Sequence, residues 1–211
     1  MPGHVPSLAV TTEERGACPP IRGPLGGTTT PRLVLRPFAA TDVDLLVPIF
    51  AKPAVWEFPY GRGFSRQETQ AFLDQQVSHW TAYGFGCWLA SEAGSGRPLG
   101  YVGLSVPTFL PELLPAVEVG WRFDPDVWGR GYASEGAVAA LHYGFETLGL
   151  AKICSVPQSE NQASVRVAER IGMRLDRILE IPGNDRRGPV TGSLFWMTAD
   201  EWATRAHGSK G

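Results

Sequence analysis

The stretch WGRGYASEG, residues 128–136, places glycines at positions 129 and 131 directly ahead of an alanine-rich run with helical periodicity. Glycine lets the main chain approach a ligand without obstruction from a Cβ atom. The first N–H groups of a helix have no intrahelical partner, and they lie at the positive end of the helix dipole. This spacing therefore predicts a main-chain cradle for an anion such as a pyrophosphate.

Other phosphate-binding motifs fit this stretch poorly. The dinucleotide pattern GxGxxG fails because Ser134 stands where a last glycine or alanine belongs after Gly129 and Gly131. A P-loop requires GxxxxGK followed by Ser or Thr, and the chain contains no such sequence. A cradle for an acyl-coenzyme A is the remaining interpretation.

The apolar segment AVEVGWRF, residues 116–123, must position this cradle because it directly precedes it as a strand. Alternation along a strand sends Glu118, Gly120 and Arg122 to the face opposite the valines. A carboxylate whose pKa is raised by burial can accept a proton from an attacking amine. Glu118 is therefore the candidate general base, and an ion pair with Arg122 or another surface cation is its structural alternative.

The hydrophobic pattern of the whole chain predicts a mixed α/β (α+β) fold in the order β-α-α-β-β-β-α-β-α-β-β. About seven strands form one mostly antiparallel central sheet flanked by helices. Ser65 begins a long helix through a capping box, and Gly84 ends it. Residues 1–30 form an irregular arm rich in proline and glycine, and residues 31–211 form the domain.

Composition excludes several classes of function. The 19 basic and 21 acidic side chains give a formal net charge of -2, so no overall positive field attracts nucleic acid or an anionic membrane. No apolar run reaches the roughly 20 residues of a membrane span, which predicts a cytoplasmic protein. Cys18, Cys87 and Cys154 lack metal-ligand spacing, as do the histidines, so no metal is expected.

Residues 128–133 resemble motif A of the GCN5-related N-acetyltransferases (GNAT), whose pattern is Gln or Arg, two residues, Gly, one residue, then Gly or Ala. Gly131 and Ala133 match this pattern, whereas Trp128 replaces the Gln or Arg. That replacement resembles the branch of ribosomal-protein N-terminal acetyltransferases, the RimJ/RimL-like branch. The segments TPRLVLRPF and NQASVRVAERIGM resemble its first strand and motif B, and the resemblance spans residues 30–202.

The resemblance implies the GNAT-like acyl-CoA N-acyltransferase fold, with acetyl-CoA (coenzyme A) as cofactor. Strand residues Val119, Gly120 and Trp121 would then contact the pantetheine and the thioester. Asn161 and Ser164 match the polar motif-B positions that contact coenzyme A, although Asn161 also fits an ordinary helix cap. Trp128 and Gly129 of motif A would contact the cofactor, and the residues whose amides would hold the pyrophosphate are Arg130, Gly131, Tyr132, Ala133 and Ser134.

Direct attack of a primary amine on the bound thioester is the implied reaction. The N–H of Val119 or Gly120 would stabilise the developing oxyanion. Many family members protonate the leaving thiolate with a tyrosine, but Ala168 occupies that position here. Ser164 is the candidate general acid in its place, with Tyr132 and water as alternatives, because a thiolate leaves with little help.

The acceptor is expected between the segment VWEFPYGRGF and the loop PGNDRRGPVTG. Trp56, Phe58 and Tyr60 could form an aromatic wall, and Asp185 or Glu57 could hold a cationic amine. Core packing and a solvated loop are the structural alternatives. A peptide N-terminus is the first candidate acceptor, and a small amine such as an aminoglycoside or polyamine is the second. A catalytically silent acyl-CoA sensor also remains open, as does a homodimer.

Overall fold

A computed structural model describes residues 26–183 and 187–208 of the chain. Within these residues one sheet of eight strands forms the centre of the molecule, in the order β1-β2-β3-β4-β5-β6-β8-β7. The strands are β1 Thr28–Thr29, β2 Leu33–Pro37, β3 Cys87–Glu92, β4 Pro98–Ser105, β5 Val117–Phe123, β6 Lys152–Ser155, β7 Arg174–Ile181 and β8 Val190–Thr198. Every neighbouring pair is antiparallel except β5 and β6, which are parallel.

The predicted mixed α/β fold with a mostly antiparallel sheet is confirmed, and the sheet has eight strands where about seven were predicted. The additional strand is β1, whose residues Thr28 and Thr29 pair with Leu35 and Val34 at the edge of the sheet. A strand of this length is too short to show alternation in the sequence. Residues 1–25, the rest of the predicted arm, lie outside the described residues.

The helices are α1 Val43–Phe50, α2 Glu57–Tyr60, α3 Arg66–Tyr83, α4 Tyr132–His142, α5 Gln162–Arg170 and α6 Ala199–Gly208. Helix α3 has the predicted capping box, because Ser65 accepts from the Glu68 N–H and Glu68 accepts from the Ser65 N–H. It ends at Gly84, whose φ of 72° is readily available only to glycine. Within the described residues no helix is both long enough and apolar enough to cross a membrane.

The sheet is covered on both faces, and β5 shows how its side chains divide. Val117, Val119 and Phe123 are buried in one cluster with residues of α4. The cluster that contains Leu46 of α1 and Leu73 of α3 packs separately and includes residues of β3. The alternation of β5 therefore places Glu118, Gly120 and Arg122 away from the α4 side, as the sequence predicts.

Strands β5 and β6 separate soon after they begin to pair. Their register contains only Val117 with Ile153 and Glu118 with Cys154. Beyond this point the Val156 N–H donates to the Glu118 carboxylate at 3.1 Å, and Pro157 has no N–H to extend the ladder. The edge of β5 from Val119 onward therefore has no pairing with β6.

His79 joins α3 to the β4 end of the sheet through both ring nitrogens. Its Nδ1 lies 2.9 Å from the Phe85 carbonyl oxygen, and its Nε2 accepts the Val106 N–H at 3.2 Å. Accepting this bond requires a neutral ring, and burial lowers the pKa of His79 even though the Phe85 contact opposes the shift. Because the folded pKa lies below the unfolded value of about 6.5, stability falls as the pH drops through that value toward the folded pKa.

We expect His79→Gln to remove part of the loss of stability that the wild-type protein shows between pH 7 and pH 5. A glutamine amide can donate to Phe85 and accept from Val106 without titrating. Urea unfolding at both pH values measures the effect, and His142→Gln is the matched control because His142 is exposed. An unchanged pH dependence in His79→Gln would contradict the assignment.

Candidate active site

A cleft of about 1280 Å³ opens where β5 and β6 diverge. Its walls come from the turn between β5 and α4, the start of α5 and the segment between α1 and α3. The predicted site residues that line it are Trp56, Phe58, Tyr60, Glu118, Val119, Gly120, Trp121, Trp128, Gly129, Gly131, Tyr132, Ala133, Ser134, Asn161 and Ser164. Arg130 is exposed and is not among the described residues that line the cleft, and Asp185 lies outside the described residues.

The glycine turn has the geometry of a main-chain cradle. Gly129 and Gly131 have φ values of 75° and 82°, and α4 begins directly afterwards at Tyr132. No atom lies within 4 Å of the position that a Cβ of Gly129 would take, so the space beside the turn is open. The first N–H groups of α4 have no intrahelical partners, and they are available to an anion there.

The residues of the cleft fit a bound coenzyme A. The Ser134 hydroxyl is buried and has no hydrogen-bond partner among the described residues, although it lies in the first turn of α4. A Cβ at Gly120 would also meet open space, so the face of β5 that carries Glu118 is open there, and the edge of β5 from Val119 onward has no pairing with β6. The turn can therefore hold a pyrophosphate, and the edge of β5 can hold the pantetheine.

An ion pair that the sequence analysis missed holds the cradle to the residues just before β2. The Glu135 carboxylate accepts hydrogen bonds from Thr30 Oγ1 at 2.6 Å, from Arg32 Nε at 2.6 Å and from the Arg32 N–H at 2.9 Å. Arg32 Nη1 also donates to the Arg130 carbonyl at 2.7 Å, inside the turn. Burial alone would raise the pKa of Glu135, but the bonds from Thr30 and Arg32 outweigh burial and lower it. The charge of Glu135 is thus compensated where an anion must bind.

We expect Arg32→Met to weaken coenzyme A binding about tenfold, because it removes the donors that fix the turn and leaves the Glu135 charge beside the pyrophosphate. The KM for acetyl-pantetheine, which has no pyrophosphate, should stay unchanged. Calorimetry and steady-state kinetics measure the two quantities, and Arg66→Met, which breaks an exposed ion pair with Asp44, is the control. Equal losses for both ligands would contradict a role in the cradle.

Glu118 lies partly buried in the cleft, and one of its oxygens accepts the Val156 N–H. Burial raises the pKa of Glu118 to about 7, and the Val156 hydrogen bond opposes the shift only in part. The alternative ion pair with Arg122 is absent from the described residues, because Arg122 instead donates to the Val55 carbonyl and to the Tyr101 hydroxyl. Glu118 is therefore a carboxylate that can exchange a proton near neutral pH.

The start of α5 brings two predicted residues to the cleft. Asn161 caps the helix, and its Oδ1 accepts the Ser164 N–H at 3.1 Å. Ala168 faces the main core and is fully buried, so the position expected for a tyrosine is turned away from the cleft. Tyr132 donates its hydroxyl to Glu92 at 2.9 Å. Ser164 thus remains the hydroxyl of α5 that lines the cleft.

The described cysteines are unsuited to nucleophilic catalysis at neutral pH. Burial raises the pKa of Cys87 to about 12, and the nearby Glu118 charge adds to the effect. Burial also raises the pKa of Cys154. Because the thiolate is the nucleophilic form, neither residue favours an acyl-enzyme.

Aromatic residues line the part of the cleft next to Arg122, whose guanidinium lies 4.1 Å from the centre of a Trp56 ring. Trp56 stacks on Phe64 with ring centroids 3.7 Å apart, and Tyr60 lies 5.8 Å from Trp56. Trp56 is only 3% exposed and belongs to the cluster of α1 and α3. It therefore packs in the core and also lines the cleft. Sequence reasoning missed Phe64 as part of this wall, although the quoted segment contains it.

A family model described as "Acetyltransferase (GNAT) domain" matches residues 32–174. Among curated relatives, N-acetyltransferase YnaD of Bacillus subtilis is 31% identical over 147 residues, which cover 69% of this chain and 81% of YnaD. The FsC-acetyl coenzyme A-N(2)-transacetylase of Aspergillus fumigatus is 30% identical over 158 residues, which cover 68% of this chain and 63% of that enzyme.

Solved structures share the fold. The ribosomal L7/L12 alpha-N-protein acetyltransferase RimL, solved in complex with coenzyme A, superposes with a TM-score of 0.65 at 17% identity, over 82% of this chain and 98% of RimL. The matched family region contains the β5 strand, the glycine turn and the start of α5 that line the cleft. The chain therefore belongs to the GNAT acetyltransferase family and is an acetyl-CoA-dependent N-acetyltransferase.

Proposed function

We propose that the protein transfers the acetyl group of acetyl-CoA directly to a primary amine, and that the acceptor is the N-terminus of a peptide. The observation that carries this proposal is Glu118, a carboxylate with a pKa of about 7 that lies in the cleft beside the unpaired edge of β5. A base with this pKa can accept the proton of an ammonium group at neutral pH. The bound thioester supplies the activated acetyl group.

The residues around Glu118 divide the remaining tasks. The glycine turn orients the cofactor through its main chain, and Asn161 fixes the start of α5 beside it. The N–H of Val119 or Gly120 lies on the strand that passes the acyl group and would stabilise the oxyanion. Ser164 would donate a proton to the leaving thiolate, or water would do so.

The shape and chemistry of the acceptor end support a peptide N-terminus. The cleft has a volume of about 1280 Å³, and its aromatic wall of Trp56, Phe58 and Tyr60 can bury an apolar side chain of the acceptor. Asp185 belongs to this proposal only as a sequence-based candidate for the ammonium group, because it lies outside the described residues. RimL, which shares the fold, is named for acetylation of a protein N-terminus.

A small-molecule amine is the second candidate acceptor, and one comparison favours it. The relative that is 30% identical is named as an N(2)-transacetylase of FsC rather than of a protein. Both candidates require the same cofactor site and the same base, so they differ only in what fills the aromatic end of the cleft.

The test first measures acetyl-CoA binding by calorimetry and then follows thiol release with peptides of varied N-terminal residue and with small amines. Thiol release that requires a peptide amine, with loss of reaction when the peptide N-terminus is blocked, would establish the first candidate. Release with a small amine alone would establish the second. Binding of acetyl-CoA without release by any amine would overturn the proposal of direct transfer.

A further inference from the structure

Arg122 is a partly buried cation that lines the cleft, and it forms no ion pair with the carboxylates of the described residues. Its Nη1 donates to the Val55 carbonyl, and its Nε donates to the Tyr101 hydroxyl at 3.3 Å. Both acceptors are neutral, so they leave the positive charge uncompensated. A guanidinium carries five N–H donors, and those on Nη2 have no acceptor recorded within residues 26–183 and 187–208.

Trp56 presents a second donor at the same place. The Arg122 guanidinium lies 4.1 Å from the centre of a Trp56 ring, and Phe64 stacks on Trp56. Trp56 is 3% exposed, and its indole N–H has no acceptor in the described part of the chain. A buried N–H without an acceptor destabilises the folded protein, so this pair of donors calls for an oxygen ligand.

We propose that Arg122 and Trp56 bind a carboxylate group of the amine acceptor. This inference rests on the proposed function and adds the chemical class of the substrate, an amine that also carries a carboxylate. A carboxylate supplies planar acceptor oxygens that match the guanidinium, and the aromatic wall strengthens the interaction by excluding water. It also supplies the negative charge that the described residues do not provide to Arg122.

The geometry of β5 lets one acceptor reach both groups. Glu118, Gly120 and Arg122 share one face of the strand, and the space where a Gly120 side chain would lie is open. The Cα atoms of Glu118 and Arg122 lie about 13 Å apart along the strand, and their side chains reach Val156 and Tyr101, so several bonds must separate the amine of the acceptor from its carboxylate. The amine would lie near Glu118 and the carboxylate near Arg122.

Two sources can supply such a carboxylate, an acidic side chain near a peptide N-terminus or the carboxylate of a small ω-amino acid. The kinetic arm of the test therefore compares peptides that begin with Glu or Gln, and ω-amino acids such as 6-aminohexanoate with their amides. We expect the wild-type protein to favour the carboxylate-bearing member of one pair by about tenfold or more in kcat/KM. Arg122→Met should abolish this preference, and Arg122→Lys should restore part of it.

We call the carboxylate contact at Arg122 and Trp56 the anchor. Control variants separate the anchor from general effects on catalysis or folding. Arg166→Met removes another arginine that lines the cleft from α5, and it should keep the preference. Trp56→Phe keeps an aromatic ring but removes the pyrrole part of the indole together with its N–H, so the preference should fall in part. A wild-type protein without preference, or a preference that survives Arg122→Met, would overturn the proposal. So would a fall in coenzyme A affinity equal to the loss of preference, because the cofactor would then supply the anion.

A binding arm keeps the anchor testable if no amine supports turnover. Calorimetry on the protein loaded with coenzyme A compares the α-amides of N-acetylglutamate and N-acetylglutamine, which differ only in the side-chain carboxylate. Tighter binding of the N-acetylglutamate α-amide by about tenfold, lost in Arg122→Met, would support the anchor even where the transfer reaction fails. Equal affinities for the two probes would reject the anchor and leave the transfer reaction to the thiol-release assay.

Discussion

Replacing Glu118 with glutamine is expected to lower kcat by about 100-fold to 10,000-fold, because the amide cannot accept the proton of the attacking ammonium group. A glutamine oxygen can still accept the Val156 N–H, so the local structure should be retained. Acetyl-CoA affinity should change less than about twofold. Glu160→Gln, at an exposed carboxylate that also lines the cleft, is the matched control and should leave the kinetics unchanged.

The pH dependence of this variant tests the same assignment in a second way. Wild-type kcat/KM should decline as the pH falls below about 7, since burial raises the pKa of Glu118 to about 7, and Glu118→Gln should lack this limb. Because the folded pKa exceeds the unfolded value, ionisation of Glu118 opposes folding as the pH rises toward 7. Glu118→Gln should therefore raise the Tm at pH 8 but not at pH 5. If Glu118→Gln keeps the wild-type activity and shows the same decline in kcat/KM below pH 7, Glu118 is not the base.

Filling the space at Gly120 is expected to produce the second large effect. Gly120 is an ordinary strand residue with no atom within 4 Å of its Cβ position, and it lines the cleft between Glu118 and Arg122. Activity should fall in the order Ala, Val, Leu at this position, by about 100-fold for Gly120→Leu, because the added side chain displaces the reacting groups. Thiol-release kinetics with a fixed amine measure the series.

Stability distinguishes this steric effect from misfolding. A glycine within a strand lacks a side chain to pack, so alanine and valine at position 120 should raise the free energy of unfolding by up to about 1 kcal/mol. We therefore expect stability and activity to change in opposite directions along the series. Loss of both together in urea unfolding and in kinetics would show that Gly120 is needed for folding rather than for an open cleft.

The acceptor proposal and the base assignment concern the same face of β5, but different variants test them. Glu118→Gln should slow transfer to every amine alike, whereas Arg122→Met should change the choice among amines. A KM effect confined to acceptors that carry a carboxylate would be specific to Arg122, since a structural role alone would affect all acceptors. The two experiments together map the acceptor along the cleft from its amine to its carboxylate.

The sequence alone determined those features that depend on neighbours in the chain. The glycines at positions 129 and 131 specify a tight turn before α4, and both have the positive φ values that favour glycine. The capping box at Ser65 and the glycine at Gly84 define α3, because both act within one helical turn. Alternation in β5 separated Glu118 from the core valines for the same local reason.

Only the tertiary structure decided which distant groups meet. Arg32 and Glu135 are 103 residues apart, so no local pattern could pair them across β2 and α4. Arg122 binds Val55 and stacks on Trp56 instead of pairing with Glu118, because the segment after α1 folds over this face of β5. The unpaired edge of β5 likewise depends on where β6 ends in space. Such long-range contacts form only when the whole chain packs. Hydrophobic periodicity and residue spacing in the sequence therefore cannot predict them.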